Sequence, residues 1–134
     1  MGMANMKTIA LCGVNAEIVE ALERHGTYHL ISFTDSMEYR GEVQLIYFLN
    51  TGHSCDLAVV GYAGAAGLTA CDYLRGHSKT LPILWLCERG EFLNEAARLG
   101  AGFYLIGPPK GVTEQKIILQ IEQAVQSGQL STVM

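Results

Sequence analysis

The amino-acid sequence predicts an α/β domain, a three-layer αβα sandwich around a doubly wound, five-stranded parallel sheet. Three observations predict it. Short apolar runs alternate with amphipathic stretches five times along the chain, the pattern of successive βαβ crossovers. The runs are continuously apolar, as in strands covered on both faces. The 134 residues, 49% hydrophobic and 16% charged, suffice for one sizeable core and one domain.

The elements follow in order. Residues 8–13, TIALCG, form a short apolar strand ended by Gly13. Asn15 is the expected N-cap of the first helix, with Ile18, Val19 and Leu22 on one face and Gly26 as its stop. YHLISF, residues 28–33, is the second strand. A looser second helix is expected from Ser36 to Asn50 through Val43, Ile46 and Leu49, its start weakened by Gly41 and its end closed by Thr51 and Gly52. DLAVVGY, residues 56–62, is the third strand, followed by a loop of Gly and Ala and a third helix over GLTACDYLRG, residues 67–76, buried through Leu68, Cys71 and Leu74. LPILWLC, residues 81–87, is a strand opened by Pro82, and EFLNEAARLG is an amphipathic helix ending at Gly100. GFYLIG, residues 102–107, is the fifth strand, and the last helix runs from Thr113 to Gln126 with Ile117, Ile118, Ile121, Ala124 and Val125 as its inner stripe.

Composition excludes several classes of function. The net charge is -4 with no basic run and no acidic tail, so an electrostatic grip on nucleic acid or anionic lipid is not expected. No apolar run reaches the length of a membrane span, and MGMANMKTIALCG lacks the parts of a secretory signal. A cytoplasmic location is the expectation. Cys12, Cys55, Cys71 and Cys87 include no Cys-x-x-Cys pair and no histidine at zinc-ligand spacing, so reduced, packed thiols and no metal or other cofactor are expected. His25, His29, His53 and His77 mostly sit beside Gly or Ser in connections, where solvated rings are commonest. Residues 1–6 and 127–134 read as tails or linker remnants around a domain spanning 7–126, as if cut from something longer.

With these elements placed, the chain resembles the receiver domains of response regulators. GAGFYLIGPP resembles their fifth-strand signature, with Tyr104 at the aromatic position and Pro108 at the proline. LPILWLC resembles their fourth strand, with Cys87 where the family carries Thr or Ser; DLAVVG resembles the third strand and IALCGVNAEIVEAL the first strand and helix. The resemblance implies a flavodoxin-like fold of strand order 2-1-3-4-5, a protein partner or output domain, a homodimer as one mode of contact, and a place in two-component signal transduction.

The family's chemistry does not carry over. Its phospho-acceptor Asp falls on Gly61, its magnesium-binding acidic pair on Gly13 and Val14, its hydroxyl on Cys87 and its lysine on Gly107. Magnesium needs hard oxygen ligands, and phosphoryl transfer needs a nucleophile and countercharge. The expectation is a pseudo-receiver that is not an enzyme and acts by protein–protein interaction. The resemblance also implies a cis bond between Gly107 and Pro108. Receivers commonly work through their fourth helix, fifth strand and fifth helix, which makes Glu95, Arg98, Tyr104, Leu119 and Glu122 the candidate interaction face.

Other readings were weighed on the residues. GYAGAAGLT is spaced G-x-x-G-x-x-G, with Leu68 where a P-loop needs Lys, so its glycines read as turn formers more than a phosphate cradle. Cys12 stands at a strand end before a helix, but Val14, Asn15, Ala16 and the anionic Glu17 make a poor phosphate loop. A Cys12–Cys87 redox pair would have to span two strand spacings, about 9–10 Å, beyond disulfide reach. The remaining alternative is a small-molecule or nucleotide-binding domain using the vacated pocket at the carboxyl ends of the strands, with Tyr62 or Tyr104 as one wall. Against it stands the reading in which Tyr62 folds over the gap and fills it.

Overall fold

The computed structural model describes residues 6–87, 90–105 and 113–127. Five strands, β1 (Thr8–Cys12), β2 (His29–Phe33), β3 (Leu57–Val60), β4 (Ile83–Cys87) and β5 (Gly102–Leu105), alternate with α1 (Ala16–His25), α2 (Gly41–Asn50), α3 (Gly64–His77), α4 (Leu93–Arg98) and α5 (Thr113–Ser127). All pairings are parallel, in the order β2-β1-β3-β4-β5. The order puts β3 between the strands that carry Cys12 and Cys87. All four cysteines are free thiols.

Side-chain alternation along the strands builds two cores. Ala10, Cys12, Ala58, Val60, Ile83, Trp85 and Cys87 face one side and pack with Leu45 and Ile46 of α2, Cys71 and Leu74 of α3 and Ala96 of α4. Ile9, Leu11, Leu57, Val59, Leu84 and Leu86 face the other and pack with Ile18 and Leu22 of α1 and Ile117, Ile121 and Ala124 of α5. The inner stripe expected of the last helix is therefore its buried face, with Ile118 and Val125 at its margin.

Helix ends follow local chemistry. The Asn15 side chain accepts from the Glu17 N–H at 2.6 Å, and Gly26 closes α1 at a φ of 74°. Two helix starts differ most from the sequence expectation, and α4 is shorter than expected at six residues, Leu93–Arg98. α2 starts at Gly41, not Ser36, because the Ser36 hydroxyl accepts from the N–H groups of Glu38 and Tyr39 and folds residues 36–40 into a turn. α3 starts at Gly64, so most of the Gly/Ala stretch expected as loop is its first turn. Packing is what overrides the poor helix propensity of glycine there. A Cβ at Gly67 would collide with the Trp85 indole and the Tyr62 carbonyl, so only glycine lets α3 lie this close to β4.

Candidate functional site

The carboxyl ends of β1 and β3 are where a doubly wound sheet presents its ligands. Gly13 follows β1 and Gly61 follows β3, with the Gly61 N–H bonded to the Cys12 carbonyl at 2.9 Å. The two segments meet at backbone contact distance. A Cβ on Gly61 would lie 2.7 Å from the Gly13 carbonyl oxygen and 2.8 Å from the Val14 Cα. Gly13 itself has a φ of +66°, and a Cβ there would run into the ring of Tyr62.

Tyr62 is the centre of this end of the molecule. Its hydroxyl donates to Asp35 Oδ1, and the Gly41 N–H reaches both Asp35 Oδ1 at 2.9 Å and the Tyr62 hydroxyl at 3.1 Å. Gly41 is the first residue of α2, so its N–H has no acceptor within the helix. The Arg40 guanidinium lies over the Tyr62 ring, 4.7 Å from its centroid, a cation–π geometry. Arg40 also bonds Glu42 at 2.7 Å and the Ala66 carbonyl of α3 at 3.3 Å. The result is a latch of Asp35, Arg40 and Gly41 closed over Tyr62.

The electrostatics agree with a closed latch. The Tyr62 hydroxyl and then the Gly41 N–H hold the Asp35 carboxyl below its usual range. Burial, reinforced by the hydrogen bond to Asp35, pushes the Tyr62 phenol above its usual range. Glu42 is 2% exposed, and its Oε1 has no hydrogen-bond partner among the described residues.

Each residue singled out in the sequence can now be placed. Gly13, Val14 and Gly61 converge at the strand ends and supply no carboxylate. Cys87 is buried in the core at the end of β4, opposite Leu105 in register. Gly107 and the Gly107–Pro108 bond lie outside the described residues. Cys12 is fully buried, and burial with the nearby Glu42 carboxylate pushes its thiol up to about 12, the opposite of an activated nucleophile. Of the candidate interaction face, Leu119 is 51% exposed on α5, Arg98 is exposed on α4 with Glu95 half-buried beside it, and Tyr104 sits in β5 opposite Leu86. Glu122, one turn along α5 from Leu119, is already engaged. Its carboxylate pairs with His25 of α1 at 2.9 Å, on the flank of α5 turned toward α1.

The site does not fit a magnesium ion. The Asp35 carboxylate is already bonded by a phenol and an amide. Glu42 is buried against Arg40, and no cluster of three His, Cys, Asp or Glu able to hold a metal occurs among the described residues. Asp35, Arg40 and Glu42 belong to this candidate site and were not singled out in the sequence. The signal for them was the polar run TDSMEYRGE set directly before the apolar body of α2.

No family model and no curated relative matches the sequence. Among solved structures the chain is similar to a LuxR family DNA-binding response regulator from Silicibacter pomeroyi, with a TM-score of 0.68 and 14% identity over 93% of this chain and 95% of that one. The phosphorylated cyanobacterial phytochrome response regulator RcpA matches with a TM-score of 0.68 and 14% identity over 92% and 96%. The signal receiver domain of an HD domain-containing protein from Pseudomonas fluorescens matches with 0.66 and 17% over 92% and 97%. The chain has the receiver fold, a flavodoxin-like parallel sheet layered between helices. No helix among the described residues is long and apolar enough to cross a membrane.

Proposed function

We propose that the chain is a pseudo-receiver: a signalling domain on the receiver fold that takes no phosphoryl group and works through protein–protein contact. The observation that carries this reading is Tyr62, whose ring covers Gly13 and whose hydroxyl is tied to Asp35 and Gly41. A phosphoryl group on this face would need an Asp at Gly61, a magnesium ion and the volume the ring takes up. The same observation speaks against a ligand in the vacated pocket, since the Tyr62 ring takes up the space beside Gly13. On this reading the domain is not an enzyme, acts in the cytoplasm, and meets a partner or output domain through Leu119 and the α4–β5–α5 surface, with a homodimer as one form of that contact.

The test is exposure to magnesium with acetyl phosphate, and separately with beryllofluoride, followed by amide NMR spectra. The expected result is unchanged spectra and no acyl phosphate. Stoichiometric beryllofluoride binding with shifts around Gly61 would overturn the proposal.

A further inference from the structure

A groove of about 640 Å³ runs along α2 beside the edge strand β2, lined by Phe33, Tyr39, Val43, Gln44, Tyr47, Phe48, Thr51 and His53. We infer that this groove is a binding site for a neutral, flat, aromatic small molecule. The inference is independent of whether the domain can be phosphorylated, because none of Gly13, Val14, Gly61 and Tyr62 lines the groove.

Size is the first argument. The volume lies within the range of small-molecule sites. α2 has ten residues, so the floor is about 15 Å long, with Tyr39 before the helix start and His53 beyond its end. That length suits a body of two or three fused or linked rings.

The lining supplies the chemistry. Five of its eight residues carry a ring, and three of them already meet one another. Phe48 lies against His53 at 4.4 Å with planes 9° apart, and Phe33 meets Phe48 edge-on at 5.5 Å. Rings so arranged favour another ring laid against them. Tyr39 at 56% and Tyr47 at 71% exposure are large apolar surfaces left in water, and a guest would cover them. No carboxylate, ammonium or guanidinium lines the groove, so nothing there compensates a charged ligand for lost hydration.

The polar groups favour a small molecule over a peptide. A bound peptide needs donors for its backbone carbonyls, and the Gln44 amide already donates to the carbonyls of Thr34 at 2.6 Å and Tyr39 at 3.1 Å. The Thr51 hydroxyl donates to the Phe48 carbonyl at 3.0 Å. Among the lining side chains described, the pair of tyrosine hydroxyls and the edge of the His53 ring stay free, enough to orient a substituent or two.

The test uses the full chain and N-phenyl-1-naphthylamine, a neutral aromatic probe that fluoresces in apolar surroundings. The expected result is saturable binding of one probe per chain, with amide shifts confined to the segment from Phe33 to His53. Tyr47→Ala, at an exposed position, should weaken binding about tenfold; Val43→Glu, which puts a charge in the groove, should abolish it; Leu119→Ala should leave it unchanged. Circular dichroism and the emission of the buried Trp85 verify that each variant is folded. Unsaturable binding, amide shifts outside the groove, or a Tyr47→Ala protein that binds like the wild type would overturn the inference. So would sedimentation showing that a second copy of the chain occupies the groove and excludes the probe.

Discussion

The indole Nε1 of Trp85 donates to the backbone carbonyl of Tyr62 at 3.1 Å. Tyr62 is thereby held at both ends, its main chain from within the sheet and its hydroxyl by the β2–α2 segment. Trp85 in turn stacks on Phe92 at 5.8 Å, so the loop after β3 rests on a rigid aromatic base.

The first prediction concerns the hydroxyl alone. Tyr62→Phe keeps the ring and removes its bond to Asp35, and should lower stability by about 1 kcal/mol. Tyr62→Ala should lower it further, because the ring's packing against Gly13 and Arg40 goes as well. Urea midpoints measure both. Equal stability of wild type and Tyr62→Phe would show that the latch holds nothing.

Restoring the acid should not restore the chemistry. Gly61→Asp forces a Cβ to within 2.7 Å of the Gly13 carbonyl oxygen, and a backbone atom cannot move aside cheaply. A loss of about 1–3 kcal/mol is expected from the crowding, with no phosphorylation by acetyl phosphate and magnesium. Incorporation of phosphate by this variant would show that the missing groups are replaced from elsewhere.

Glu42 and Arg40 should respond unequally to mutation. Arg40→Ala strands a carboxylate that is 2% exposed, whereas Glu42→Gln leaves a guanidinium whose side chain is 41% exposed and can hydrate. Arg40→Ala should therefore destabilise by about 2–3 kcal/mol, and Glu42→Gln by clearly less. The reverse order in thermal or urea unfolding would contradict this reading of the pair.

The latch should have a pH window. Asp35 is depressed by its bonds to Tyr62 and Gly41, so its contribution is complete above about pH 4 and lost as pH falls through the lowered value. Tyr62 is raised by burial and by Asp35, so its contribution is present below about pH 10 and lost as pH rises through the raised value. Following the tyrosine ring signals by NMR, Asp35→Asn should bring the Tyr62 titration down. The titration of Tyr28, raised by burial and then Glu122, should stay where it was. A Tyr62 titration indifferent to Asp35→Asn would remove the electrostatic part of the latch.

The proposed interaction surface is tested at Leu119. Leu119→Asp places a charge on an exposed apolar position and should abolish self-association or partner capture while leaving unfolding unchanged within about 0.5 kcal/mol. If association survives this change in sedimentation and pull-down assays while Gly61→Asp disrupts it, the contact lies at the strand ends instead.

Much of this was legible from the chain because the signals were local. Asn15 and Gly26 bracket α1 by short-range capping, and the period of Ile117, Ile121 and Ala124 reports one buried face whatever that face meets. That Gly13, Val14 and Gly61 bring no carboxylate to the strand ends was legible too, being a property of composition. What was not legible depends on distance. Asp35 and Tyr62 are 27 residues apart and meet only once β1 has paired with both β2 and β3, and Arg40 in sequence looks like any solvated loop cation. The helical state of Gly64–Ala66 was hidden for a similar reason, since the Trp85 ring that favours glycine at position 67 belongs to another strand. The pairing of Glu122 with His25 was hidden because the helical period identifies the buried side of α5 but not which neighbour lies on either side of it.

The amide of Gly41 has a use of its own. Two side-chain oxygens, six and 21 residues away, shield a proton that a first-turn helix residue would ordinarily leave to solvent. Its replacement by deuterium must wait until the phenol and the carboxylate have both drawn back. One resonance therefore acts as a clock for the separation of the β2–α2 segment from the β3–α3 loop, and the ratio of its rate to that of a free glycine amide gives the fraction of time the two are apart.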